Sequence, residues 1–477
     1  MESTPANRHT LPIMTENNGD NQKISGSFRD PSGYVFRRDG LITRLIKPVY
    51  RENFELLLSS GLYDELSGNG LMISHTELTP EKSDYLRHGE IYRLLRPAPV
   101  PMVSYPYEWC FGQLKAAALL TLDIQRRALA RGMTLKDAPA QNIQFIGGRP
   151  ILIDTLSFER YRTEAPWQAY RQFCRHFLAP LLLMRQDYRL SGLLLNEIDG
   201  IPLDLVSRLL PRKSYLSFGT LLHIHLHARS TRLFAKGTPA MLKERHMPKR
   251  NLLGLIDSLQ TTINSLEWQC IASEWGEYYR KTNYDATAFE AKEQIIKTML
   301  AKTCPGMVWD FGANNGHFSE LAVTSQRYTV AMDIDPVAVE ANFQRHRDNS
   351  SLLPLRIDLC NPSPGNGWDG KERMSLAARG PATTGMALAL IHHLAISNNL
   401  PLQRIAEWLA ASCNELIIEF VPKKDSMVRF LLSTREDVFP DYHREAFEQE
   451  FAQWFDLAEV QALPGSSRVL YRMTKRA

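Results

Sequence analysis

The chain has no paired cysteines, no long apolar run and little net charge, and each absence excludes a class of protein. Its six cysteines (Cys110, Cys174, Cys270, Cys304, Cys360 and Cys413) are scattered, with neither Cys-x-x-Cys nor Cys-x4-His spacing. Neither a zinc site nor a disulfide framework is therefore expected, and thiols set apart in this way fit a reducing cytoplasm. No apolar stretch approaches the roughly 18–20 residues that a membrane-crossing helix needs, so no membrane partner is expected. The polar N-terminus lacks the apolar segment of a signal peptide, and a cytoplasmic location is the expectation. A net charge of only +4 over 477 residues gives no reason to expect a nucleic-acid partner. No internal repeat is visible. At 44% hydrophobic and 23% charged residues the composition is that of a globular protein, and the length calls for two or three domains.

What the chain does have is organised around residues 307–319, MVWDFGANNGHFS. An apolar run ends in Asp310, a turn follows with Gly312 and Gly316, and a helical pattern continues through Phe318, Leu321 and Ala322. Strand, glycine turn and helix in that order is where an α/β sheet holds a nucleotide-like ligand at its carboxyl edge. From about residue 278 strand and helix patterns alternate, which predicts a parallel sheet. Strands are expected at 307–311, 328–333, 352–357, 386–391, 415–421 and 468–473. The second ends in Asp333, 23 residues after Asp310 and placed to accept hydrogen bonds from ribose hydroxyls. The third leads into Asp358, whose carboxylate could accept from an adenine amino group. The fourth, a continuous apolar run as in a strand buried on both faces, ends in His392 and His393. A terminal acid by itself is as readily a helix N-cap, but four such features in chain order favour a cofactor site.

The order DFGANNG, AMDID, RID, ALALIHH resembles class I S-adenosylmethionine-dependent methyltransferases. The run from about 278 to 471 is more specifically similar to a bacterial family of NoeA-like nodulation proteins. The segments GWDGKERMSLAARG, ALALIHHLAISNNLPL, IIEFVPKKDSMV and TREDVFPDY carry that match. The resemblance implies a doubly wound Rossmann-like sheet and transfer of a methyl group from S-adenosylmethionine. Asp310, Gly312 and Gly316 would shape the methionine and ribose side of the site, Asp333 would bind the ribose, and Asp358 would lie near the adenine. Asn314 stands where many of these enzymes have a middle glycine, and asparagine tolerates left-handed backbone better than most residues. An NAD site fits less well, because G-x-G-x-x-G is missing. His392 or His393 could serve as a general base for a hydroxyl acceptor, as could Glu419, or each could be a structural residue of the sheet edge. A small-molecule or carbohydrate acceptor is favoured.

The N-terminal half reads differently. Residues 1–27 are polar and expected to form a disordered tail. Residues 28–240 open on a predicted hairpin around Asp39-Gly40 and contain a helical pattern over 111–131 and a second hairpin around Gly147-Gly148. Asp137 and Asn142 are five apart, and Asp154 follows 12 residues later. Kinase-type phosphotransferases use this spacing, with one Asp near the accepting hydroxyl and then an Asn and an Asp on magnesium. The region therefore resembles an α+β kinase-like domain, with ATP and magnesium (held by Asn142 and Asp154) as the cofactors that likeness would bring. It departs from that pattern at several points. Lys136 precedes Asp137, Thr155-Leu156 follow Asp154, there is no glycine loop, and only Arg44 and Lys47 offer themselves to phosphates. Residues 241–277 are expected to be a helical linker and 278–477 the methyltransferase domain. The expectation is a two-domain enzyme whose kinase-like half binds or presents the acceptor. The alternatives are an ATP-dependent phosphotransferase with a regulatory methyltransferase-like domain, and a scaffold of two spent enzyme folds.

Overall fold

Two turn residues at positive φ, Asp39 at 52° and Gly40 at 71°, fold the start of the chain back on itself. They join β1 (Gly33–Arg38) to β2 (Leu41–Ile46) through the two-residue turn whose twist suits a hairpin. The structure is a computed structural model that describes residues 23–476 apart from 83, 85–87, 164, 231–246, 269–285, 325 and 434–435. Residues 1–22 of the expected tail lie outside the described residues, and Lys23 already bridges Phe36 of β1. β3 (His75–Leu78) and β4 (Arg93–Pro97) complete an antiparallel sheet in the order β1-β2-β4-β3. The chain after residue 50 forms two helices, Arg51–Ser59 and Leu62–Gly68, separated at Gly61, which stands at φ 74°.

The helix Phe111–Ala130 buries Leu114, Ala117, Ala118, Leu122 and Leu129, the face its spacing predicted. After it come β5 (Met133–Leu135), β6 (Ile143–Ile146), β7 (Arg149–Leu152) and β8 (Phe158–Arg160), with β5 paired to β8 and β6 to β7. Of the linker expected over 241–277, residues 241–246 and 269–277 lie outside the described residues. The helix Lys249–Asn264 between them packs Leu252, Ile256, Leu259 and Ile263 into the core beside Phe111–Ala130. It is a core element of the N-terminal half.

The second half is a seven-stranded sheet of β9 (Gly306–Phe311), β10 (Arg327–Asp333), β11 (Leu352–Arg356), β12 (Ala382–Ala387), β13 (Cys413–Phe420), β14 (Phe455–Ala462) and β15 (Val469–Lys475). Its order is β11-β10-β9-β12-β13-β15-β14, parallel except for β15, which runs antiparallel to both neighbours. Every residue of β9 is buried, as a central parallel strand requires. The chain winds outward from β9 through β10 to β11, then returns to the other side of β9 at β12. The crevice beyond β9 and β12 is therefore the topological switch point, where open α/β sheets bind ligands.

Two expectations about the sheet are corrected. The fourth strand covers 382–387 and not 386–391, so His392 and His393 do not end it. Ala389, at φ 49°, breaks the extended backbone, and His393–Ser397 form a π-helical turn. An unbroken apolar run has no period to separate strand from helix, which is why the boundary slipped. The strand β14 was not expected at all. Only Phe455 of its eight residues is buried, so this edge strand carries no alternation to read.

The two halves interlock. The Gly147 and Gly148 amides donate to Tyr328 Oη (2.9 Å) and the Asn349 carbonyl (3.0 Å), and a side chain at either glycine would run into the backbone of 347–350. Phe145 meets Phe343 edge-on at 6.3 Å. Glu108 and Arg379 form a fully buried ion pair between the halves. Among the described residues, no helix is long and apolar enough to cross a membrane.

Candidate active site

At the carboxyl end of β9 the backbone turns through three left-handed residues, Gly312 (φ 73°), Asn314 (51°) and Gly316 (80°). Gly316 meets two demands at once: its φ disfavours any Cβ, and a Cβ there would collide with the Asn342 side chain on the neighbouring helix. The Gly312 and Ala313 amides both donate to the Met332 carbonyl, which pins the turn to β10. Asn314 holds a left-handed conformation that asparagine tolerates better than most residues.

Asp310 is only 2% exposed, and its carboxylate accepts the Ser319 hydroxyl at 2.6 Å. It joins β9 to the first turn of the helix His317–Ala322. Burial raises its pKa to about 7, with the Asp333 carboxylate adding to the rise and Ser319 and Lys292 opposing it. The unfolded chain would titrate near ~3.9. Stability from the buried neutral form is thus complete below pH ~4 and is lost as pH rises through 7. Asp310→Asn, neutral throughout, is expected to gain stability relative to wild type between pH 5 and pH 8. Urea unfolding of both proteins at the two pH values tests this, and a difference that does not change with pH would refute it.

Asp333 ends β10 half-buried. Its two carboxylate oxygens accept the Asn314 amide (2.7 Å) and the Asp335 amide (2.8 Å). Burial lifts its pKa to about 6 against those two hydrogen bonds. Beside it Ile334 is 50% exposed, an apolar surface at the rim that sequence reading missed. Asp358, past the end of β11, accepts the Cys360 amide at 2.8 Å.

On the other side of the switch point lies a buried polar cluster. Lys292, from the helix Ala286–Ala301, meets Glu419 of β13 at 2.6 Å with both side chains buried. Arg468 reaches the other oxygen of Glu419 at 3.4 Å and grips Asp425 through two nitrogens at 2.7 and 3.2 Å. Burial pulls the Lys292 ammonium below its ordinary value even with Glu419 beside it. His392 is wholly buried, and neither of its ring nitrogens has a hydrogen-bond partner among the described residues. Its ring centroid lies 4.0 Å from that of His393. Burial, then His393 and the two cations, drives the His392 pKa far down; burial and Arg468 bring His393 to about 4. Both imidazoles are therefore neutral at physiological pH, and Glu419 stands between two cations.

In the N-terminal half the predicted set also comes together. Asn142 Nδ2 donates to Ser157 Oγ (2.9 Å), which donates to Asp154 Oδ2 (2.6 Å). Arg44 of β2 holds the other Asp154 oxygen at 2.7 Å, and the Leu156 amide donates to it at 3.3 Å. Burial raises the Asp137 pKa, with Lys136 opposing and Asp154 assisting. Asp154 is thus committed to protein donors, and the Asn142 amide points its N–H at a hydroxyl. This arrangement does not fit a magnesium site. Among the described residues no group of three His, Cys, Asp or Glu is placed to hold a metal.

No family model matches the chain. The nodulation protein NoeA of Rhizobium meliloti (strain 1021) is 35% identical over 456 residues, which span 94% of this chain and 95% of that protein. Among solved structures, the N-methyltransferase NodS of Bradyrhizobium japonicum WM9 is 12% identical, with a TM-score of 0.31 over 40% of this chain and 99% of its own. The magnesium protoporphyrin IX methyltransferase ChlM of Synechocystis PCC 6803, with bound SAH, is 15% identical, with a TM-score of 0.31 over 42% of this chain and 92% of its own. Matched along nearly its whole length at 35% identity, the chain belongs to the family of the nodulation protein NoeA.

Proposed function

We propose that the protein is a methyltransferase that uses S-adenosylmethionine to methylate a small uncharged acceptor, a small-molecule or carbohydrate hydroxyl. One observation carries the reading. The Asp333 carboxylate stands at the end of β10, braced by the Asn314 amide of the left-handed turn and only partly buried. A braced carboxylate there suits a vicinal pair of ribose hydroxyls. The turn 312–316 would take the methionine side, and Ile334 with Asp358 the adenine side. When bound, S-adenosylmethionine would supply an electrophilic methyl group on sulfur; the acceptor oxygen would take the methyl as the carbon–sulfur bond breaks, the hydroxyl proton would pass to solvent water, and S-adenosylhomocysteine would remain.

The residues beyond β12 and β13 then do the rest. In-line displacement depends chiefly on positioning. Neutral His393, partly exposed beside the wholly buried His392, would orient the acceptor by hydrogen bonding; as bases both are weak, because a base works best with a pKa near the operating pH. The charges of Lys292 and Arg468 cancel against Glu419 and Asp425, which leaves a site matched to an uncharged acceptor. We read Glu419 as the centre of this scaffold rather than as the base. The N-terminal half is read as kinase-like in its order of sheet, long helix, Asp137–Asn142 loop, β6–β7 hairpin and Asp154. Its polar set is closed on itself, so we assign that half to presenting the acceptor and not to phosphotransfer. Calorimetric titration of S-adenosylmethionine and S-adenosylhomocysteine into the full-length protein is expected to give saturable one-to-one binding of both. A folded protein that binds neither overturns the reading.

A further inference from the structure

The cofactor reading gives the adenine end of the ligand Ile334 and Asp358 but no outer wall, and the inference that follows rests on that reading. From the switch point at β9 and β12, a ligand whose ribose sits at Asp333 extends outward past β10, so its base arrives at β11. The residue at that edge is Arg356, the last of β11 and the register partner of Asp333. Strand neighbours in parallel register project to the same face, so Arg356 stands over the crevice beside Asp333. The N-terminal half fixes it there. Arg356 Nη1 donates to the buried Ser191 hydroxyl at 2.9 Å, and its guanidinium lies 5.2 Å from the centre of the Tyr188 ring. Its Nε is buried with no hydrogen-bond partner among the described residues, so at least this donor is open to a ligand. The chain just after the short helix Tyr188–Gly192 that carries both partners is clamped to the β11–β12 connection. Asn366 Nδ2 donates to the Leu195 carbonyl, and a side chain at Gly367 would run into Ile198.

We propose that Tyr188, Ser191 and Arg356 form the outer wall of the adenosine pocket, so that the N-terminal half completes the cofactor site. The Tyr188 ring, with the guanidinium 5.2 Å from its centre, would offer its face to a purine, and the exposed Ile334, next to Asp333, would offer a second apolar surface at the same sheet edge. Arg356 Nε is the donor available to a ring nitrogen. The N-terminal half thereby couples to cofactor binding as well as to the acceptor.

The test is calorimetric titration of S-adenosylhomocysteine and adenosine into full-length wild type, Tyr188→Ala, Tyr188→Phe and Ser191→Ala. Tyr188→Ala should weaken both ligands at least about ten-fold, within what stacking a base on an aromatic ring contributes. Tyr188→Phe keeps the ring and should stay within about two-fold of wild type, since a ten-fold change is 1.4 kcal/mol. Ser191→Ala, which frees Arg356 without touching the ring, should weaken both ligands by a smaller factor and guards against a Tyr188→Ala protein that misfolds. If wild type binds both ligands and the alanine variants bind equally well, the wall is wrong while the cofactor reading stands. If wild type binds neither, the cofactor reading falls and this inference falls with it.

Discussion

Arg379→Ala is expected to destabilise the protein by about 3–5 kcal/mol, the usual cost of removing one partner from a buried ion pair. The arginine is 1% exposed in its side chain, as is Glu108, and it donates to Glu108 at 2.8 and 2.5 Å. It also donates to the carbonyls of Val103 (2.9 Å) and Ser375 (3.2 Å), and its guanidinium lies 5.3 Å from the Tyr105 ring centre. Truncation therefore leaves a carboxylate buried without its cation and two carbonyls short of a donor. Glu108 belongs to the segment leading into Phe111–Ala130 and Arg379 to the connection leading into β12, so the loss falls on the seam between the halves. Urea unfolding of wild type and variant measures it. The double variant Glu108→Gln, Arg379→Met should recover most of the loss, because no uncompensated charge remains in it. A single variant as stable as wild type would mean that this seam opens to water.

The features legible in the sequence were those decided by local chemistry. Asp39-Gly40 needs positive φ at both residues, and so does the turn 312–316, where Asn314 occupies the position its residue type allows. Asp333 was legible because strand ends and acids at fixed spacing are properties of one βαβ unit. The polar cluster across the switch point was not. Lys292 lies 127 residues from Glu419, and Arg468 lies 49 from it, so no spacing rule connects them. Glu419 could be seen, but the two cations that neutralise it could not. Asp137, Asn142 and Asp154 were legible as a pattern, whereas Arg44, read as a candidate for phosphates, lies 110 residues before Asp154 on β2 and closes the set instead. His392 and His393 were visible, but their true setting in a π-helical turn was hidden by an apolar run without a period. Sequence named the groups; distant contacts decided their charge.

Asp333→Ala is expected to weaken S-adenosylmethionine binding by about 1.5–3 kcal/mol, the usual worth of hydrogen bonds to a charged acceptor. The carboxylate accepts the Asn314 and Asp335 amides at 2.7 and 2.8 Å, so the substitution also releases the turn from β10. Asp333→Asn separates the two effects: its amide oxygen can still accept one amide N–H, but the charge offered to the ribose is gone, and its affinity should fall between wild type and alanine. Wild-type binding carries its own pH signature. Burial raises the Asp333 pKa to about 6, so the free protein holds a carboxylate above that pH and a carboxyl group below it. Ribose hydroxyls donate to the charged form, so affinity should be level from pH 8 down to about 7 and then fall as pH drops through 6. The loss approaches about ten-fold per further pH unit, since one unit is 1.36 kcal/mol. Asp333→Asn has no group to protonate there and should show a flat profile over the same range. Titrations at pH 8, 7, 6 and 5 with wild type and the asparagine variant decide the matter. A wild-type affinity that declines on acidification only as fast as that of the variant would mean that the ribose is not held by Asp333.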